Sequence, residues 1–447
     1  MKKQWNMTAG KAARRGIALL MALSVILTGC SMPFEKKKPV YTPKASATDG
    51  QDEQPAGMSE EDAVYAAMEY MKAMTLEQKV GQLFVVNLEQ LDPSRGDFYE
   101  HHKLTKGMKA TLASIPVGGV ILFSRNIAAR KQTKRLLRRL QKNSQTPLFT
   151  MVDEEGGDVA RIANNPKMHT TVFPSAEEIG EKENADYVYN MGETIAEEIG
   201  KLGFNVDLAP VADVKTSELN REIGSRSFGD DPDKVSEYVS AFIKGAQSQN
   251  ICTALKHFPG QGSSTGDTHV GSVDIDSSIS RLRKIDFKPF EAGMEAGADF
   301  IMVSHISVSK VTETSEPASM SDLIMTTIIR DELGYEGLII TDALDMASIT
   351  DYYSAADAAY ETVKSGADIV LMPQNLQEAY TSILTKVQEG SLDEKRLEDS
   401  VLRILKLKFM RGIMTLEDLE KIQATPAPET VVSTAPAVTA KAKSKKK

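Results

Sequence analysis

Cysteine is nearly absent from this chain: Cys30 and Cys252 are the two in 447 residues, so no disulfide framework is available and the fold must stand on its core. Tryptophan occurs once and histidine six times. The histidines show no close ligand spacing such as His-x-x-x-His, and nothing else in the sequence calls for a metal or cofactor. A Gly-rich dinucleotide fingerprint is also missing. Basic excess is lacking: the formal net charge is −9, and the first 29 residues hold five positive charges and no acids, leaving the remainder more acidic still. A nucleic-acid partner is therefore excluded. The longest apolar stretch, Ile17 to Leu27, is too short for a comfortable membrane span.

That stretch comes after Lys2, Lys3, Lys11, Arg14 and Arg15, the n-region and h-region order of a secretory signal. It ends in Leu27-Thr28-Gly29-Cys30, which resembles the bacterial lipoprotein box, in which the signal is cut before a Cys that receives lipid. The expectation is a signal peptide over 1–29, lipid on Cys30, an extracytoplasmic location and a membrane contact through that lipid; an ordinary signal with a coincidental Cys is the alternative. Residues 30–57 are rich in Lys, Pro, Ser, Thr, Gly and Asp and read as a disordered tether. A helix is predicted from Ser59 to Ala73, and Thr75-Leu76-Glu77-Gln78 has the form of a capping box. At the other end, 417–447 runs into Ala, Pro, Thr and Lys and reads as a disordered tail, with no second domain expected after the core.

Between these ends, over 58–416, β-rich runs alternate with helical patterns: 80–86, 117–123, 148–153, 204–213, 252–258, 300–305, 338–342 and 368–372. Eight nearly continuous apolar runs suit parallel strands covered on both faces, and eight close a barrel. The fold class expected is α/β, a single (β/α)8 TIM-type barrel, with a doubly wound open sheet as the alternative.

In such barrels chemistry sits where strands end, so polar residues closing an apolar run come first. Asp153, Asp213, Lys256, His257, His305 and Asp342 occupy equivalent places. Any one of them alone reads equally well as a satisfied polar residue at a strand end; six together point to a site. Asp342 would present a carboxylate with little freedom, as a nucleophile requires. Lys256 opens a Gly- and Pro-rich loop that ends in Asp267-Thr268-His269, where the carboxylate can orient the imidazole and stabilise its protonated form. Arg161 and Arg226 are candidate hydrogen-bond forks for ligand oxygens, a surface ion pair being the alternative for each.

The ordered motifs are Met74-Thr75-Leu76-Glu77-Gln78-Lys79-Val80-Gly81-Gln82, Val152-Asp153-Glu154-Glu155-Gly156-Gly157, Leu208-Ala209-Pro210-Val211-Ala212-Asp213-Val214, Arg226-Ser227-Phe228-Gly229, Lys256-His257-Phe258-Pro259-Gly260 and Thr341-Asp342-Ala343-Leu344. Together they resemble glycoside hydrolase family 3, and within it the bacterial β-N-acetylglucosaminidases, from about Met74 to Arg411. The resemblance implies that Asp342 is the nucleophile of a retaining hydrolysis and that His269, supported by Asp267, is the acid/base. It further implies that Asp153, Arg161, Arg226, Lys256 and His257 hold a terminal N-acetylglucosamine, with His305 beside them. The Asp-x-His loop, with no following domain to supply a carboxylate, favours an acetamido sugar over a plain glucoside. An N-acetylglucosaminide phosphorylase and an inactive sugar-binding lipoprotein are the alternatives, and the implied partner is a glycan of the cell wall or a related one. Three positions depart from the usual pattern: Gln261 stands where a second His is common, Ser263-Ser264 where Asp-Thr is common, and Asp158 where a basic residue often follows the Gly pair.

Overall fold

The computed structural model describes residues 57–96 and 98–424. The expected signal peptide, Cys30 and the tether up to residue 56 lie outside the described residues. Eight short strands form the frame: β1 Phe84–Val86, β2 Gly119–Ile121, β3 Phe149–Val152, β4 Val206–Asp207, β5 Cys252–Phe258, β6 Phe300–Val303, β7 Leu338–Thr341 and β8 Val370–Leu371. They pair in parallel in the order β8-β1-β2-β3-β4-β5-β6-β7. A parallel bridge between Ile340 and Ile369 joins β7 to the chain entering β8 and closes the ring. This is the (β/α)8 barrel, not the open sheet. Every residue of the eight strands is buried, which is why they read as unbroken apolar runs rather than alternating ones.

Local chemistry moves three boundaries from where composition and periodicity put them. The run 80–86 is not one strand: Thr75 and Gln78 form a reciprocal capping box that starts a helix over Leu76–Gln82, and β1 begins at Phe84. The run 204–213 pairs in the sheet at Val206–Asp207, with Val211 adding an isolated bridge to Lys256, because Pro210 has no N–H to give a ladder. The tail does not begin at 417. Residues Leu416–Ala424 are helical, capped where the Thr415 N–H and hydroxyl donate to Asp418 at 2.9 and 3.0 Å. Leu419 and Ile422, three apart, lay that helix against the core. The rest of the expected tail, 425–447, lies outside the described residues.

The helix Glu60–Lys72, capped by Ser59, buries Ala63, Ala66, Ala67 and Tyr70. Its Tyr70 ring meets Phe409 edge-on at 6.3 Å, on the helix Glu394–Met410. The next residue back on that helix, Lys408, plugs the end of the barrel where strands begin. Its ammonium donates to Gln82 Oε1 at 2.8 Å and to the Gly118 carbonyl at 3.0 Å, and lies 4.9 Å from the Phe149 ring centre. The opposite, C-terminal face is left open. No helix among the described residues is long and apolar enough to cross a membrane.

Candidate active site

Over the C-terminal ends of the strands lies a cavity of about 1110 Å³. Asp153, Arg161, Arg226, Lys256, His257, His269 and Asp342 all line it, joined by Glu155 and Glu222. The residues to which the family resemblance gives a role are thus brought together, Asp267 and His305 excepted, although they come from β5 and from the segments after β3, β4, β5 and β7.

One side is an ion-pair network. Lys256, at the end of β5 and 2% exposed, reaches Asp153 Oδ1 at 2.9 Å and Glu155 Oε1 at 2.6 Å. Arg226 grips the same Glu155 with both prongs, Nε to Oε2 at 2.9 Å and Nη2 to Oε1 at 2.8 Å. Glu155 sits on a small antiparallel hairpin, Glu154–Gly156 with Val159–Ala160, that leaves β3. Burial pushes the Glu155 carboxyl up, but Arg226 and Lys256 outweigh it and hold the group well below the usual carboxylate range. Arg161 approaches Asp153 Oδ2 at 3.5 Å, and its Nε is buried without a partner. The residue lines the cavity, and a cationic fork there is equipped to take a ligand oxygen.

His257 comes directly after Lys256. Its Nδ1 lies 2.7 Å from Asp213 Oδ2, and its backbone N–H donates to the same oxygen at 3.1 Å. Asp213 also accepts from the Gln261 N–H at 2.6 Å, so one buried carboxylate at the end of the β4 segment sets the start of the Gly-rich loop. Because the guanidinium of Arg226 can only donate, the 3.3 Å contact from its Nη2 to His257 Nε2 assigns Nε2 as acceptor and Nδ1–H as donor to Asp213.

Asp342 ends β7. Its N–H donates to the Val303 carbonyl of β6 at 2.9 Å and its Oδ1 accepts from the Ala343 N–H at 2.7 Å, so the carboxylate has one oxygen fixed and the other available. Burial raises its pKa, while His257, His305, the Ala343 amide and Lys256 lower it, with a net shift below the usual range. A carboxylate kept ionised is nucleophilic at neutral pH. His305 is 1% exposed, with Nδ1 on Ser319 Oγ at 2.7 Å and Nε2 on the Ala343 carbonyl at 3.0 Å. Both nitrogens are occupied, and His305 braces the Asp342 turn from behind while the cavity lining is made by its neighbours.

His269 stands on the exposed loop. Its Nδ1 lies 3.0 Å from Asp267 Oδ1, and its backbone N–H donates to that oxygen at 2.9 Å. A second carboxylate, Glu222 Oε1, lies 3.4 Å from the same nitrogen. Glu222 first, opposed by partial burial, then Asp267 and Asp342, push the imidazole up to about 9. Among the described residues Glu222, Asp267 and His269 offer donors within 4.8 Å of one another, a spacing suited to a metal ion. The His269 Nδ1 is already engaged by Asp267 through a hydrogen bond and by Glu222 through an ion pair, and the group reads as a proton-holding cluster.

Glu155, Glu222 and the bracing role of Asp213 do not stand out in the sequence. Glu155 leaves a signal, three acids in a row before a Gly pair, since a buried carboxylate needs cations. Glu222 leaves none. Of the departures, Gln261 is 1% exposed and directs its amide towards Thr268 Oγ1 at 3.4 Å, filling the space under the loop. Asp158 is exposed and accepts from Ser225 Oγ at 3.4 Å.

Comparison with known proteins places this constellation. A family model described as the glycosyl hydrolase family 3 N terminal domain matches residues 75–407. The chain belongs to glycosyl hydrolase family 3. This family 3 chain is 32% identical over 365 residues to a protein named beta-hexosaminidase A from Pseudoalteromonas piscicida, covering 75% of this chain and 61% of that protein. It is 32% identical over 303 residues to the beta-hexosaminidase of Stenotrophomonas maltophilia, covering 66% of this chain and 87% of that one. The chain thus spans less than two thirds of the first relative and most of the second. The structure of a family 3 β-N-acetylglucosaminidase from Paenibacillus superposes with a TM-score of 0.71 at 28% identity, over 78% of this chain and 68% of that one.

Proposed function

We propose that this glycoside hydrolase is an exo-acting, retaining β-N-acetylglucosaminidase. The observation that carries the reading is that Asp342, its pKa lowered, and His269, its pKa raised to about 9, line one cavity together with Asp153, Arg161, Lys256 and His257. Asp342 attacks the anomeric carbon while His269 gives its proton to the leaving oxygen; water then enters, passes a proton to His269 and displaces the Asp342 carboxylate. A histidine takes the place of the second carboxylate of most glycosidases. The choice of an acetamido sugar is supported by the names of the relatives, and the Asp-x-His loop fits it.

The substrate class we favour is N-acetylglucosamine-terminated glycan outside the cytoplasm, with peptidoglycan turnover as the setting. The reasons are the signal-like residues 1–29 and the lipoprotein-type Cys30, which would tie the enzyme to a membrane by lipid. The test uses protein lacking residues 1–30 on aryl β-N-acetylglucosaminide and aryl β-glucoside. Clear preference for the first, a β product before mutarotation, and a loss of kcat of roughly a thousandfold or more in Asp342→Asn are expected. Binding of N-acetylglucosamine with no turnover of either substrate would replace this reading by a sugar-binding lipoprotein.

A further inference from the structure

The second carboxylate on His269 has no part in the Asp-x-His pairing and has no signal in the sequence. Glu222 comes from the loop after β4, and its side chain is 5% exposed where that of His269 is 64% exposed. One residue performs three tasks: Oε1 lies 3.4 Å from His269 Nδ1, Oε2 accepts from the Thr268 N–H at 3.1 Å, and Oε1 also accepts from the Thr268 hydroxyl. The loop bearing the histidine is therefore latched to a neighbouring barrel loop at the residue just before the imidazole. The latch is itself held in place, since the Glu222 carbonyl accepts from Arg226 Nη1 at 3.2 Å.

We propose that Glu222 is a positioning residue that shares the Nδ1 proton of His269 with Asp267, holds the loop over the cavity, and by its charge directs the reaction to water rather than to an anionic acceptor. The proposal rests on the hydrolase reading above. Two carboxylates at Nδ1 leave Nε2 as the nitrogen turned to the substrate, so the proton transferred in the first step is the Nε2 proton. The groups facing the imidazole are Glu222 from the β4 loop, Asp267 from its own loop, and Asp342 just after β7, all anionic when ionised, together with the buried His305 after β6, whose pKa is lowered chiefly by burial. In the second step an acceptor oxygen bonds to the anomeric carbon as the Asp342 oxygen leaves. Water must hand a proton to His269. Inorganic phosphate need not, but it must bring negative charge into a space flanked by Glu222 and Asp267, where like charges repel.

The experiment uses the full chain in detergent with histidine-labelled protein, the His269 resonance being assigned by its loss in His269→Ala. In Glu222→Gln the His269 titration midpoint is expected to fall by at least about one pH unit. The basic limb of kcat/KM on aryl β-N-acetylglucosaminide should fall by the same amount, and the ratio of sugar 1-phosphate to free sugar should rise when inorganic phosphate is supplied. A residue acting only in stability would lower activity and leave the limb and the ratio where they were. An unchanged His269 midpoint overturns the proton-sharing role, and an unchanged product ratio overturns the acceptor role. Should Glu222→Gln fold poorly, Glu222→Asp withdraws the carboxylate and carries the same titration. If the unmodified chain turns over no glycoside, the hydrolase reading fails by itself, while the titration still decides whether Glu222 holds the proton.

Discussion

Lys408 allows the two ends of the barrel to be separated experimentally. Its ammonium is fully buried under the strand starts, and burial pushes it down to about 7 from an unfolded value of 10.5. Below about pH 7 the group is protonated in both states, and the folded protein bears the desolvation cost in full. As pH rises through the folded value the native state releases its proton while the unfolded chain keeps one until about 10.5, so the unfolded state binds more protons and stability rises with pH. At 1.36 kcal/mol per unit, two pH units between 7 and 9 amount to at most about 3 kcal/mol. The bonds to Gln82 and Gly118 and the Phe149 ring favour the ammonium and reduce that ceiling. Replacing the group by an apolar one of similar length removes the titration. Lys408→Met should therefore be at least as stable as the unmodified protein at pH 7 and should lose its advantage by pH 9. Urea midpoints of both proteins at the two pH values measure this. Equal pH dependence in the two would refute the argument. Turnover per folded molecule should not change, because Lys408 lies at the end of the barrel opposite Asp342.

The other predictions concern the open end. Glu155→Gln removes the carboxylate that two buried cations share, leaving Lys256 and Arg226 partly unpaired; a loss of roughly 3 kcal/mol or more in unfolding free energy is expected, with a raised KM, by urea denaturation and steady-state kinetics. His269→Ala should lose activity steeply on alkyl glycosides and much less on an aryl glycoside whose leaving group needs little protonation, so a uniform loss across leaving groups would count against the acid role. The proposed mechanism needs His269 protonated in its first step, so kcat/KM of the unmodified protein should hold across neutral pH and fall as pH passes about 9.

Much of this molecule is legible in its sequence because its strands are buried on both faces. Runs such as Leu338 to Thr341 advertise themselves by unbroken apolar character, and the polar residue that ends each run is by geometry a residue at the barrel mouth. Asp153, Lys256, His257 and Asp342 stand out on that ground, and the ordered motifs point to the family. Sequence and structure part where local bonding overrides composition. Thr75 and Gln78 cap a helix inside an expected strand, and Leu419 with Ile422 draw eight residues, 417–424, out of an expected tail.

By itself, then, the sequence determined the periodicity, hence the barrel, and the residue types available at its mouth, because both depend on neighbours along the chain. Only the tertiary structure decided which charges meet. That Glu155 satisfies both Arg226 and Lys256, that His305 stands behind Asp342 instead of in the cavity, and that Glu222 from the β4 loop joins Asp267 on His269 are contacts between segments far apart in the chain. Their strength depends on burial and on separations of about 3 Å, which closing the barrel brings about and which no local pattern encodes.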